Sequence, residues 1–311
     1  MLVWIILITI YYLSYSVLQN FIQICQSTMA KLYQYILLMR LNRPIGIYLL
    51  LWPTLWGLWI AGNGYPDMLV TVIFVLGVIL MRSAGCVIND YADRHIDPHV
   101  SRTNDRPLAA KRVTESEALI LFAILCLIAF GLVLLLNILT IMLSMIAVFL
   151  AITYPFMKRY THLPQAYLGM AFGWSIPMAF AAQTGEVPIL AWWLFAANLL
   201  WTIAYDTLYA MVDREDDLVI GVKSTAILFG KADKIIVAGL DIGVLLILFW
   251  IGQQLQFSNL YNLGLLAGLG LVIYQQWLIK DRNPALCLQA FLNNHWFGAV
   301  IFVGIAANYY F

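Results

Sequence analysis

Nine stretches of about twenty mostly apolar residues follow one another from residue 36 to the end of this chain, at approximately 44–62, 67–88, 117–136, 138–157, 164–183, 189–210, 235–252, 260–278 and 291–310. A helix needs about 20 such residues to cross the hydrocarbon core of a bilayer, because backbone polar groups there must be satisfied within the segment itself. The series therefore restricts the chain to an all-α, polytopic membrane protein. Composition agrees: 63% of the 311 residues are hydrophobic and 11% are charged, against about 25% charged in a soluble domain.

The connections between the segments alternate in character. Those near 63–67, 137, 183–188 and 253–262 are short and carry no Lys or Arg, whereas 89–117, 158–163, 212–234 and 280–283 are basic. Of the 17 Lys and Arg residues, Lys31, Arg40 and Arg43 precede the first segment, and the other fourteen fall in the basic connections or in the ends of the segments that lead to them. The positive-inside rule puts that side in the cytoplasm and the C-terminus outside. The net charge of +1 says nothing about nucleic acid, but no basic run is long enough for such a partner, and none is expected. Cys25, Cys86, Cys126 and Cys287 form no CxxC and read as small apolar residues rather than disulfides or zinc ligands. Of the four histidines, His95 and His99 read as polar residues at a headgroup surface.

Residues 1–28 stand apart. They are apolar and aromatic through Cys25, contain no Lys or Arg, and lack the charged start of a signal peptide. Met29-Ala30-Lys31 reads as a natural beginning, so 1–28 is expected to be a hydrophobic extension, either an accessory tenth helix or the product of a misassigned start, and 29–311 a single transmembrane domain.

Two connections on the basic side are also acidic. Directly after the second segment, Asn89, Asp90, Asp93 and Asp97 fall within nine residues. If the helix continues through them, Asn89, Asp93 and Asp97 share a face. After the sixth segment come Asp213 and Asp217, four apart, with Asp206 and Tyr209 extending that face toward the membrane. An ionisable side chain at such depth faces a polar cavity rather than lipid, so Asp206 is expected to line one. Glu215 and Asp216 read as solvated. Four segments lie between the two stretches, which places both on the same side. Brought together unpaired, they would repel; two Mg²⁺ ions between them relieve the repulsion and create a site for a diphosphate. Arg94, Arg102, Asn104, Arg106 and Lys223 are candidates for the diphosphate oxygens.

Asn89-Asp90-x-x-Asp93-x-x-x-Asp97 paired with Asp213-x-x-x-Asp217 resembles the two aspartate-rich motifs of the UbiA superfamily of intramembrane aromatic prenyltransferases. Leu38–Gly46, Leu50–Trp56, Tyr154–Gln165, Gly173–Ala179 and Gly221–Ala226 look like its 4-hydroxybenzoate polyprenyltransferase branch. The resemblance runs from about residue 31 to the end; residues 1–28 have no counterpart, and Asn42 departs from the Asp usual at its position. It implies a nine-helix bundle around a central cavity with a cytoplasmic cap, in a bacterial inner membrane. The implied activity is Mg²⁺-dependent transfer of a polyprenyl chain from its diphosphate to 4-hydroxybenzoate, ortho to the hydroxyl, in ubiquinone biosynthesis. Asn89, Asp93, Asp97, Asp213 and Asp217 would be the metal ligands, and Asp90, Asp93, Asp97, Asp213 and Asp217 the catalytic carboxylates. Arg159, Arg40 and Arg43 are the candidates for the acceptor's carboxylate, with Arg159 preferred. Within the class, naphthoate, haem or a chlorin are alternative acceptors. From another class, a transporter would place its site on broken helices at the membrane midplane rather than at one face.

Overall fold

The computed structural model describes residues 25–99 and 103–310, together with Met1, Gln19, Ile22 and Gln23. Most of the 1–28 extension, and Arg102, lie outside the described residues. A helix over 25–38 (α1) passes through Met29 without a break. The helices that follow are α2 (Ile45–Ala61), α3 (Met68–Ala92), α4 (Glu115–Val133), α5 (Ile138–Thr153), α6 (Pro164–Gly173), α7 (Ser175–Thr184), α8 (Ile189–Val212), α9 (Arg214–Ile220), α10 (Thr225–Phe229), α11 (Asp233–Gln254), α12 (Asn259–Leu278) and α13 (Pro284–Tyr310). Among the described residues there is no strand, and all nine expected segments are helical. Among the described residues, seven helical stretches are long and apolar enough to cross a membrane, and the 17-residue α2 is a shorter apolar helix.

Local chemistry sets the boundaries. Asp67 accepts from Val70 N at the start of α3, Asn137 from Thr140 N at the start of α5, and Thr114 and Glu117 close a capping box on α4. The fifth expected segment is two helices, α6 and α7, that meet at Trp174. Pro177 explains the break: it has no N–H to offer the carbonyl of Gly173 and its ring crowds that carbonyl. The fourth segment ends early for the same reason. Pro155 stops α5 at Thr153, and a 3₁₀ helix, Tyr154–Arg159, replaces the expected last turn.

The bundle centres on Trp56, Trp201, Tyr205, Tyr261 and Phe297, all fully buried. Trp56 stacks on Trp201 with ring centroids 5.3 Å apart and donates Nε1–H to the carbonyl of Gly298. Outward positions of α4 and α5, such as Ile120, Leu127, Ile138 and Phe149, are exposed and apolar, as a lipid-facing surface requires. α3 and α8 both run toward the end of the bundle that carries the basic connections, and those connections fold over the cavity the two helices line.

Candidate active site

α3 ends at Ala92, so Asp93 is its C-cap rather than a mid-helix residue. The chain then turns, and Asp97 opens a short 3₁₀ helix; one helical bond survives, from Asp97 N to the Asp93 carbonyl at 2.9 Å. The second stretch is interrupted likewise: α8 stops at Val212, Asp213 adopts φ −94° and ψ 3°, and α9 begins at Arg214. Neither acidic stretch is the continuous helical face that the spacing suggests. Both nevertheless reach one cavity of about 1070 Å³, lined by Asn89, Asp93, Asp97, Asp206, Tyr209, Asp213 and Asp217.

Asp90, in the last turn of α3, and Asp93 and Asp97 beyond it are buried, 1–4% exposed, and each meets a cation. Lys158 donates to Asp93 Oδ2. Arg106 bridges Asp97 Oδ2 at 2.8 Å and Asp90 Oδ1 at 3.1 Å, and Arg40 holds Asp90 Oδ1 at 2.6 Å. Asp90 is thus enclosed by two arginines and turned from the cavity lining, which gives it a tethering place rather than the catalytic one expected. Burial pushes the Asp97 carboxyl up from the usual carboxylate range; Arg106 opposes the rise, and the charges of Asp90 and Asp93 add to it. Burial works against the Arg40 cation, but Asp90, Cys86 and Tyr209 together outweigh it and hold the guanidinium above its ordinary range. Asp93 Oδ1 is buried with no hydrogen-bond partner, and an orphaned carboxylate oxygen at this position suits a hard cation. Among the described residues, no three of the His, Cys, Asp and Glu side chains converge on one point. A cation here would therefore complete its oxygen shell with Asn89 and with oxygens of a bound ligand or water.

The expected cationic residues divide. Arg106, Lys223, Arg40 and Arg43 line the cavity, as does Asn42. Lys223 also donates to the Tyr160 carbonyl at 3.2 Å. Arg94 turns away, paired with Glu115 at 3.0 Å and bonded to the Tyr91 carbonyl, and Asn104 is exposed outside the lining. Arg159 is exposed, donates to the Ala92 carbonyl at 2.5 Å and lies over Phe156, so it clasps the end of α3 instead of facing the cavity. Its neighbour Lys158 points inward instead. The 3₁₀ turn imposed by Pro155 decides which of the two side chains faces in, and helical spacing alone gave no warning of it.

One cavity residue was read from the sequence only as a topology signal. Arg82 lies within α3, seven residues before Asn89 and therefore about 10 Å deeper along the helix axis. Asp206 lies seven residues before Asp213 on α8, so the two side chains form a second polar layer beneath the acidic one. Arg82 packs where a Cβ on Gly46 would sit, 2.1 Å from its Nε, and lies 6.0 Å from the Phe172 ring centroid. It donates Nη1–H to Cys86 Sγ, while its Nε is buried and unbonded. The usable signal was a cation inside an apolar run, which the rule applied to Asp206 covers equally. On the other side of the cavity, Ile73, Phe74, Val78, Ala129, Val133, Ala147 and Ala151 of α3, α4 and α5 form an apolar wall.

Fold and site together define an integral membrane protein of the helical class, with a cavity that is lined by ionic and by apolar side chains. Residues 50–298 match the UbiA prenyltransferase family. The chain belongs to that family. It is 63% identical over 272 residues to a 4-hydroxybenzoate octaprenyltransferase of Methylococcus capsulatus, covering 88% of this chain and 93% of the relative. It is 65% identical over 275 residues to the Nitrosococcus oceani protein of the same name, covering 88% and 96%. Among solved structures, the apo form of a UbiA homologue from Aeropyrum pernix K1 superposes with a TM-score of 0.75 at 24% identity, covering 84% of this chain and 97% of that one. An Archaeoglobus fulgidus homologue bound to GPP and Mg²⁺ gives 0.67 at 17% identity, covering 88% and 99%. At such identities the likeness concerns the fold.

Proposed function

We propose that this chain transfers a polyprenyl group from its diphosphate to the ring of 4-hydroxybenzoate, ortho to the hydroxyl, giving 3-polyprenyl-4-hydroxybenzoate and diphosphate for ubiquinone biosynthesis. The observation that carries the reading is the cavity itself, whose ionic end and apolar wall match the two halves of a prenyl diphosphate. The relatives' names specify an octaprenyl donor, which makes it the first to assay.

Asn89, Asp93, Asp97, Asp213 and Asp217 are the residues that would hold Mg²⁺, with Asp93 Oδ1 open to it. Bound there, Mg²⁺ supplies positive charge where the departing diphosphate develops negative charge. Lys158, Lys223 and Arg43 bind diphosphate oxygens, and Arg106 keeps Asp97 in place. The apolar wall holds the tail and excludes water, which would otherwise quench an allylic cation. Arg82, in the deeper layer, takes the acceptor's carboxylate, and Asp206 and Tyr209 face the acceptor from α8. This replaces Arg159 as the acceptor's anchor. Charge asymmetry orients the ionic end toward the cytoplasm of a bacterial inner membrane.

The test is purified protein in nanodiscs given octaprenyl diphosphate, 4-hydroxybenzoate and Mg²⁺, with diphosphate release and prenylated product both measured. Product with naphthoate but not with hydroxybenzoate, or movement of label without bond formation, would sink the reading.

A further inference from the structure

α9 carries the second acidic pair, with Asp213 at its N-cap and Asp217 in its first turn, yet none of its seven residues is buried. Apolar packing therefore does not fix it, and the break at Asp213 means that α8 does not fix its direction either. The chain just beyond its C-terminal end is tied by the backbone bond from Lys223 N to the Lys158 carbonyl, 3.1 Å. Its first residue is tied differently. Arg214 Nη2 is ion-paired with Oδ2 of Asp233, the first residue of α11, and Asp233 is fully buried. Arg282, in the connection between α12 and α13, grips the same carboxylate: Nε lies 3.1 Å from both oxygens and Nη2 2.8 Å from Oδ1. The Lys234 backbone N–H adds a third donor at 2.7 Å. Arg282 is itself oriented by a left-handed backbone, φ 54°, and by the Lys231 carbonyl at 2.8 Å. None of these three side chains lines the cavity.

We propose that the Arg214–Asp233–Arg282 clasp is a positioning device that sets the place of Asp213 and Asp217, and through them the affinity of the metal–diphosphate site. This rests on the reading of the site given above. A buried carboxylate shared by two guanidiniums resists displacement, because removing either partner leaves a desolvated charge behind. A ligand set has to be held to within about 0.5 Å, and a helix with no buried side chain gains that precision from its ends. The α12–α13 connection thereby acts on the site without touching it.

The experiment compares wild type, Asp233→Asn, Arg282→Gln and Arg282→Lys. Mn²⁺ affinity is measured by calorimetry in the presence of a non-hydrolysable prenyl diphosphate analogue, and the Mg²⁺ and acceptor dependence of turnover are measured beside it. Asp233→Asn and Arg282→Gln should weaken Mn²⁺ binding and raise the Mg²⁺ half-saturation by about tenfold, the size of a lost charge-assisted contact. The KM for 4-hydroxybenzoate should stay within about twofold of wild type, and Arg282→Lys should recover part of the affinity. If Asp233→Asn does not accumulate, Arg282→Gln carries the same measurement. Unchanged Mn²⁺ affinity with lower turnover would overturn the clasp and leave the catalytic reading standing. A wild type that binds no Mn²⁺ alongside the analogue would overturn both.

Discussion

Replacing Arg82 by Ala separates acceptor binding from donor binding. The side chain sits in a seat left open by Gly46, and its Nε has no hydrogen-bond partner. Its Nη1–H goes to a thiol, Cys86 Sγ. Truncation breaks no hydrogen bond to a carboxylate among the described residues, so apart from a charge interaction with Asp206 the loss falls on whatever anion the guanidinium is meant to meet. A charge-assisted contact in a desolvated site is worth about 1.5–3 kcal/mol, and about 1.4 kcal/mol is a factor of ten. Arg82→Ala should raise the KM for 4-hydroxybenzoate by about 10- to 150-fold and leave the KM for the prenyl diphosphate nearly unchanged. Arg159→Ala is the internal control. That arginine is bonded to the Ala92 carbonyl outside the cavity, so its loss should alter the acceptor KM by less than about threefold, within the range of one exposed contact. The assay is transfer of radiolabelled prenyl groups in membranes at saturating Mg²⁺, varying each substrate in turn. A rise in the donor KM for Arg82→Ala, or in the acceptor KM for Arg159→Ala, would refute the two-layer placement.

Asp93→Ala and Asp213→Ala should each lower turnover by orders of magnitude while the protein still inserts and folds; near-wild-type rates in either would end the two-stretch site. Gly77 lines the apolar wall, and a Cβ there meets nothing within 4 Å, so Gly77→Leu should fill tail space. Its KM should rise for an octaprenyl donor but not for a geranyl donor, and equal effects on both would place the tail elsewhere. A chain starting at Met29 keeps Lys31 on Glu117 at 2.8 Å and Tyr35 on Glu117 at 3.0 Å, the contacts that fasten α1 to α4. It should insert and retain essentially full turnover in membranes; a large loss per folded molecule would make residues 1–28 part of the enzyme.

Apolar run length made all nine segments legible, because a bilayer leaves a spanning backbone few alternatives. Several boundaries shifted, α13 most, since it begins at Pro284 where 291 was expected; two of the differences lie at prolines whose effect is local, Pro155 and Pro177 each leaving the carbonyl four residues earlier without its donor. Membership of the cavity was legible for Asp93, Asp97, Asp206, Tyr209, Asp213 and Asp217. Direction was not. Asp90, Arg94 and Arg159 differ from their neighbours only in which way they face. That is decided where α3 caps at Asp93 and where Tyr154–Arg159 tightens to a 3₁₀ turn. Helical periodicity ends at both places, so reading its phase onward fails there.

The ion pairs also change what an acidic cluster implies. Its carboxylates called for either neighbouring cations or a divalent metal, and sequence could not choose between them. In the structure Asp90, Asp93 and Asp97 carry three negative charges and are met by Arg40, Lys158 and Arg106. The first stretch is thus neutralised by the chain's own side chains, and Asp93 Oδ1 is buried without a hydrogen-bond partner. A divalent cation entering alone would meet three existing cations there, with the second acidic stretch left to oppose them. A diphosphate entering alone would face buried carboxylates. Entering together they cancel, and the diphosphate supplies the oxygens that the protein lacks, since no three carboxylates among the described residues converge on one point. Metal and donor binding should therefore be strongly coupled. Mn²⁺ affinity measured with a non-hydrolysable prenyl diphosphate analogue should exceed that without it by at least about tenfold, within the usual range of a coupling free energy, and the analogue's affinity should rise by the same factor with Mn²⁺ present. Equal Mn²⁺ affinity with and without the analogue would mean that the carboxylates hold the metal unaided, and that the ion pairs seen here give way to it.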